Sequence, residues 1–334
     1  MTDPRLYTLR NWLKGLKPSW QLDLETLDSA SADASFRRYF RIKSQNLDFG
    51  TLIVMDAPPQ HEPLNAFIRV DFLLAEAGLN VPHILEENVT EGFLLLNDLG
   101  NETYLSALNE NTADHLYQDA IQALVKMQLA SKPDVLPNYD AALLQRELDL
   151  FPEWYLKKHL QIKLSETQNA LIKNAFELII QNNLAQAKVY VHRDYHSRNL
   201  MVTEKNNPGV LDFQDAVYGP ITYDAASLWR DAYIAWPEER VLDWVIKFWE
   251  EGRKTGLPMP TDFGQFYRDF EWMGLQRHLK VLGIFARLSH RDGKDGYLKD
   301  IPLVLEYAIA TAHRYIELKP LARLLESTRV RQDV

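Results

Sequence analysis

His192-Arg193-Asp194-Tyr195-His196-Ser197-Arg198-Asn199, followed by Asp212 in the run Val210-Leu211-Asp212-Phe213, decides how this chain is read. The pattern is H-x-D-x-x-x-x-N, then a short apolar strand ending in aspartate. Phosphoryl transfer needs such a set: one carboxylate to take the proton of the acceptor hydroxyl, then an amide and a second carboxylate whose oxygens hold magnesium. Val189-Tyr190-Val191 before the loop and Leu200-Met201-Val202 after it read as strands. Asn199 and Asp212 are therefore expected near the ends of a short hairpin. Asp194 is the candidate catalytic base, and Asn199 and Asp212 are the candidate magnesium ligands.

Composition narrows the alternatives. The chain has 334 residues, 46% hydrophobic and 25% charged, enough for two cores. It contains no cysteine, which excludes disulfides, thiolate nucleophiles and thiolate zinc sites. A net charge of -9 argues against broad binding to nucleic acid or anionic membrane, but not against ATP, which needs only a local positive cluster. No apolar run is long enough to span a bilayer, and Met1-Thr2-Asp3-Pro4-Arg5 is not followed by a signal-type core. The expectation is a soluble cytoplasmic protein, either monomeric or weakly oligomeric.

Working outward from the motif, Leu6, Leu9, Leu13 and Leu16 follow Asp3-Pro4 at helical spacing. Strands are predicted over Leu22 to Leu27, Phe36 to Lys43, Thr51 to Met55, and near Ile84 and Phe93 to Leu96; a helix is predicted from Pro63 to Ala77. Beyond about residue 103 the pattern is mostly helical, with Pro152 marking a kink or a new helix. The fold class is thus α+β: a β-rich N-lobe over 1–98 and a mostly helical C-lobe over 99–334, with a hinge at Leu96-Asn97-Asp98-Leu99-Gly100.

Several residues need weighing. His290-Arg291-Asp292 repeats the triplet of the opening motif, but Tyr297 stands where Asn is required, so no metal role is assigned. Lys294, Asp295, Lys299 and Asp300 beside it read as a solvated loop. His192 and His196 sit four apart in a loop rather than on a helix, which disfavours zinc; His192 reads as a support of the loop, and His196 as a residue that faces the acceptor or packs. Gly219-Pro220 reads as a turn into a helix near Tyr223, with Asp224 either an acid of the first helical turn or a brace of the catalytic loop through backbone hydrogen bonds. The small-residue loop Ser29 to Ser35, followed by Phe36-Arg37-Arg38-Tyr39-Phe40-Arg41, is the candidate phosphate-binding segment, because small side chains let backbone N–H groups approach phosphates. Ser35, Phe36, Arg37, Arg38 and Arg41 are its candidate nucleotide contacts.

With these residues assembled, the chain resembles the aminoglycoside phosphotransferase and choline kinase-like superfamily of small-molecule kinases on the protein-kinase-like fold. The span from Asp212 to Asp224 is too short for a protein-kinase activation segment. A closer resemblance lies in Ala34 to Arg41, Val54-Met55-Asp56-Ala57-Pro58-Pro59, Glu147 to Tyr155, Asp212-Phe213-Gln214-Asp215-Ala216 and Gln276-Arg277-His278-Leu279-Lys280. These blocks are similar to those of the bacterial anomeric N-acetylmuramate/N-acetylglucosamine kinases, which use ATP and serve peptidoglycan recycling.

The resemblance implies ATP and Mg²⁺ between the lobes, adenine near Asn97, Asp98 and Leu99, and the sugar's anomeric hydroxyl at Asp194. Candidate sugar contacts are His196, Trp154, Trp229, Arg230, Asp231, Arg277 and His278, with core packing the alternative for each tryptophan. Arg230 or Arg277 is the candidate partner of the lactyl carboxylate. One departure stands out: Met55 occupies the position expected to hold the lysine for the α/β-phosphates, and the following helix offers only Asp71 and Glu76 as candidates for that lysine's glutamate partner, so either an arginine of the Arg37–Arg41 strand substitutes or the nucleotide is held more loosely. Rival readings are a kinase acting on an aminoglycoside, choline or homoserine, and a nucleotide-binding pseudokinase.

Overall fold

The computed structural model describes residues 3–31, 36–46 and 49–329, which form two compact units. The first comprises residues up to Glu102 together with Met201–Asp215; the second comprises Thr103–Leu200 and the chain from Ala216 onward.

The first unit opens with α1 (Pro4–Trp20). Asp3 caps it, its side chain accepting from the Arg5 and Leu6 N–H groups, and Pro4 takes the first turn, where a missing N–H costs nothing. The next elements are β1 (Leu22–Ser31), β2 (Arg38–Ser44), β3 (Thr51–Asp56), α2 (Leu64–Glu76), β4 (Ile84–Asn88) and β5 (Phe93–Asn97). The strands make one antiparallel sheet in the order β1-β2-β3-β5-β4. The helical face of α1 meets one face of this sheet: Leu9 and Leu13 share a core with Leu22, Ile42, Leu52, Val54, Phe93 and Leu95. The period of two along β3 and β5 places these side chains on a single face.

The second unit holds α3 (Tyr104–Ala107), α4 (Ala113–Leu129), α5 (Ala141–Leu148), a π-helix (Phe151–His159), α6 (Glu166–Ala185) and β6 (Lys188–Val191). Pro152 stands in the first turn of the π-helix, so the break it marks is a change of helix type. β7 (Leu200–Met201) and β8 (Gly209–Val210) form a two-stranded sheet, and β6 pairs antiparallel with β9 (Val217–Pro220). Asn199 directly precedes β7, and Asp212 follows β8. Gly219-Pro220 is therefore not the expected turn: it ends a strand, because β6 supplies its hydrogen-bonding partner.

The remaining helices are α7 (Tyr223–Trp229), α8 (Glu238–Thr255), α9 (Phe263–Asp292), α10 (Ile301–Arg314) and α11 (Lys319–Arg329). α9 is the long axis of the core, with Leu275, Leu279, Leu282 and Ala286 packed against Phe151, Tyr155, Phe176, Leu305 and Leu321. The second HRD triplet ends α9 as helix, and Gly293 closes it in the left-handed conformation. The segment after it is also more ordered than the solvated loop expected: Asp295–Asp300 is a 3-10 helix, and Asp300 lies 4.0 Å from Arg198.

Candidate active site

The loop between β6 and β7 is built by its own backbone. The Asp224 carboxylate accepts from the N–H groups of His192 (2.7 Å) and Arg193 (3.0 Å), fixing the turn just before Asp194. Arg193 takes a positive φ of 78° there. The Asp194 N–H donates to His192 Nδ1 (3.2 Å), and the fully buried His192 ring packs edge-on against Tyr195. Asn199 Nδ2 donates to the Asp194 carbonyl (3.0 Å), and the Ser197 N–H donates to Asp231 (3.0 Å). The loop is thus braced from α7 by Asp224, from the segment just after it by Asp231, and from within by His192 and Asn199.

The Asp194 carboxyl lies among cations. Burial alone would raise its pKa; Lys280, His196, Arg277 and Arg193 outweigh burial and hold it at about 2. Lys280 on α9 is buried, 3.2 Å from Glu147 on α5, and donates to the Tyr223 hydroxyl at 3.0 Å. Arg193 pairs with the same Glu147, which also accepts from Tyr139. Glu147 and Lys280 were quoted in the sequence blocks but not assigned to the site; their membership in those blocks was the available signal. Burial pushes the Asp224 carboxyl up to about 7, against the pull of its two backbone hydrogen bonds.

Asp212 has a positive φ of 64°, a conformation aspartate tolerates better than most side chains. Its carboxylate accepts from Gln214 at 2.8 Å. Phe213 beside it is buried against Phe67 of α2, with ring centroids 4.9 Å apart, which anchors the segment. Oxygen donors such as the Asp212 carboxylate and the Asn199 amide suit magnesium. Because the amide nitrogen of Asn199 is used on the Asp194 carbonyl, the amide oxygen is the end a cation would take.

The nucleotide candidates of the first unit are largely engaged with acids. Arg37 pairs with Glu62 at 2.7 Å. Arg38 forks onto Asp56 and Asp3, and Arg5 joins it on the fully buried Asp56. Arg41 pairs with Asp98 at 2.6 Å, and Asp98 also accepts from Thr51 and the Gly100 N–H. Asn97 exchanges hydrogen bonds with the His83 backbone, and the Leu99 side chain approaches Gly209. Phe36 is exposed and stacks on His61 at 4.6 Å; Ser35 lies outside the described residues. Met55 is fully buried in the sheet between Tyr39 and Leu94. On α2, Asp71 is buried and its carboxyl is raised to about 7 by desolvation.

The sugar candidates separate by burial. Trp229 is wholly enclosed and packs on Phe248, so it has no face to offer a pyranose and is a core residue. Both Asp231 oxygens accept backbone N–H groups, from Ser197 and Tyr233. Arg230 is held bidentate by Glu238 at 2.8 and 2.5 Å. His278 is buried, stacked on Tyr307, with Nε2 at 3.0 Å from the Arg230 carbonyl. Trp154 is only partly buried at the edge of the core. His196 packs edge-on against Tyr233, over which Arg198 stacks at 3.6 Å. Arg277 is buried, its Nη1 without a partner among the described residues.

This chain belongs to the phosphotransferase enzyme family, whose model matches residues 26–257. It is similar to proteins named N-acetylmuramate/N-acetylglucosamine kinase: 46% identical over 332 residues to that of Pseudomonas aeruginosa, covering 97% of both chains. The protein of that name from Neisseria meningitidis serogroup B is 48% identical over 325 residues, covering 96% of this chain and 95% of the relative. Among solved structures, an aminoglycoside phosphotransferase in complex with gentamicin superposes with a TM-score of 0.61 at 14% identity, over 91% of this chain and 96% of the other. An ethanolamine kinase of Plasmodium vivax superposes with a TM-score of 0.60 at 11% identity, over 91% and 86%. These likenesses establish the protein-kinase-like α+β fold that the resemblance implied.

Proposed function

We propose that this chain transfers the γ-phosphoryl group of ATP to the anomeric hydroxyl of N-acetylmuramate and N-acetylglucosamine. The observation that carries the reading is the His192–Asn199 loop, in which an ionised Asp194 is braced by Asp224, His192 and Asn199. The acceptor is drawn from the relatives that share 46% and 48% of its residues over nearly the whole chain. The product would be an amino-sugar 1-phosphate, formed in the cytoplasm where ATP is supplied, in the recycling of peptidoglycan sugars.

Asp194 orients the acceptor hydroxyl and takes its proton. A carboxylate held at about 2 is a weak base towards a free alcohol. The anomeric hydroxyl is more acidic than an ordinary alcohol, and its proton is released late, as the bond to phosphorus forms, so positioning matters more than base strength. Asn199 and Asp212 would hold magnesium, which when bound neutralises charge on the phosphate oxygens. Lys280 and Arg193 keep Asp194 ionised, and Asp224 keeps its peptide in place. The test is ATP turnover over a panel of amino sugars, aminoglycosides, choline and homoserine, with NMR of the product. Turnover dependent on N-acetylmuramate or N-acetylglucosamine, giving a sugar 1-phosphate, is expected. Turnover with none of the acceptors would point instead to a pseudokinase.

A further inference from the structure

We propose that Arg277 is the residue that sets acceptor specificity: its guanidinium takes the lactyl carboxylate of N-acetylmuramate while Asp194 engages the anomeric hydroxyl. The inference rests on the function proposed above and deepens it, since N-acetylglucosamine lacks that carboxylate.

Sequence leaves two arginines for the task, and their surroundings differ. Arg230 is already satisfied by both oxygens of Glu238 and lies near the rings of Tyr307 and Phe270. Arg277, only 4% exposed, makes no hydrogen bond or ion pair among the described residues, and its Nη1 is enclosed without a partner. An enclosed guanidinium without an anion is costly, so this arrangement suits a group that is paired when a ligand arrives. The field of Arg277 reaches Asp194, Asp224, His196, His278 and Tyr233. Asp224 spends its oxygens on the His192 and Arg193 amides, and Asp194 is reserved for the acceptor hydroxyl. Arg198, the other cation near Tyr233, sits 3.6 Å over that ring's centroid with Asp300 at 4.0 Å. An acceptor bearing its own carboxylate would be repelled by Asp194, and Arg277 is placed to offset that repulsion. A neutral sugar meets no such repulsion and can do without the contact.

The experiment compares kcat/KM for N-acetylmuramate and N-acetylglucosamine in the wild type, Arg277→Lys and Arg277→Gln. In Arg277→Gln the value for N-acetylmuramate should fall about tenfold further than that for N-acetylglucosamine, mostly through KM, with Arg277→Lys intermediate. Equal losses on the two sugars would overturn the proposal, because Arg277 would then serve Asp194 or the phosphates. If Arg277→Gln turns over neither sugar, calorimetric binding of both decides: a wild-type affinity ratio overturns the proposal, and a selective loss of N-acetylmuramate binding supports it. A wild-type protein that turns over neither sugar overturns this inference and the proposed function together, whereas wild-type turnover of both with an unchanged ratio in the variant overturns only the role of Arg277.

Discussion

At Asp194 two opposing effects meet. Burial penalises the carboxylate, and the charges of Lys280, His196, Arg277 and Arg193 favour it strongly enough to hold the group at about 2. Asp194→Asn should keep the fold and nucleotide binding while lowering kcat by about 10²–10⁴-fold, the usual worth of a positioned acid–base group; steady-state kinetics beside nucleotide titration check this, and near wild-type turnover would remove Asp194 from the mechanism. The same shift has a stability consequence. Between the ordinary value of 3.8 and about 2, the folded chain binds fewer protons here than the unfolded chain, so stability rises with pH through that window. The contribution is complete above about pH 4 and is lost as pH falls through about 2. Asp194→Asn should therefore lower Tm near neutral pH, and the gap to the wild type should close as the pH drops from 4 towards 2. A pH-independent gap in thermal melts would contradict the pairing.

At the scale of elements, the site depends on how α9 sits against α5 and the π-helix. A Cβ on Gly283 of α9 would meet the Leu150 backbone at 2.4–2.5 Å, too close for any side chain. Gly283→Ala should therefore push α9 off the start of the π-helix and cost about 1–3 kcal/mol in urea unfolding, the usual range for overpacking. Because α9 also carries Arg277 and Lys280, kcat should fall as well. Lys280→Met removes one of the two cations on the buried Glu147. Breaking a buried pair from one side costs about 3–5 kcal/mol, and the Arg193 and Tyr139 contacts that survive put the expectation at the lower end. The variant should also lose turnover without touching substrate, since the largest charge favouring ionised Asp194 goes with it; retention of both stability and kcat would show Lys280 to be a bystander.

For the whole molecule, a net charge of -9 opposes the binding of an anionic nucleotide such as the ATP of the proposed reaction. The chain resolves this by keeping positive charge inside: Arg193, Arg277 and Lys280 are buried or half-buried around Asp194, so their fields act through protein rather than water. In the proposed reaction Asn199 and Asp212 would hold magnesium, which when bound would add the remaining positive charge. Removing divalent cations with EDTA should abolish turnover, and added magnesium should restore it. Asp212→Asn should raise the magnesium concentration needed for half-maximal rate while leaving the circular dichroism spectrum unchanged; the same magnesium dependence as the wild type would take Asp212 out of the metal site.

The sequence by itself determined the order of strands and helices and pointed to the chemistry proposed for one loop. Helical spacing at Leu6 to Leu16, strand period in Thr51 to Met55, and the eight residues from His192 to Asn199 are local signals, written within a few residues of where they act. The brace from Asp224 was not a local signal: it was expected through the spacing shared with the resembled kinases, and its partners lie 32 and 31 residues away. Only the tertiary structure decided how the charges pair. Glu147 meets Arg193 and Lys280 across long stretches of chain, Trp229 lies wholly in the core, and Arg230 is taken by Glu238 while Arg277 is not. Residue type and spacing carry no record of such partners. They are fixed by which helix faces come together, and an ion pair's worth depends on the burial that this packing creates.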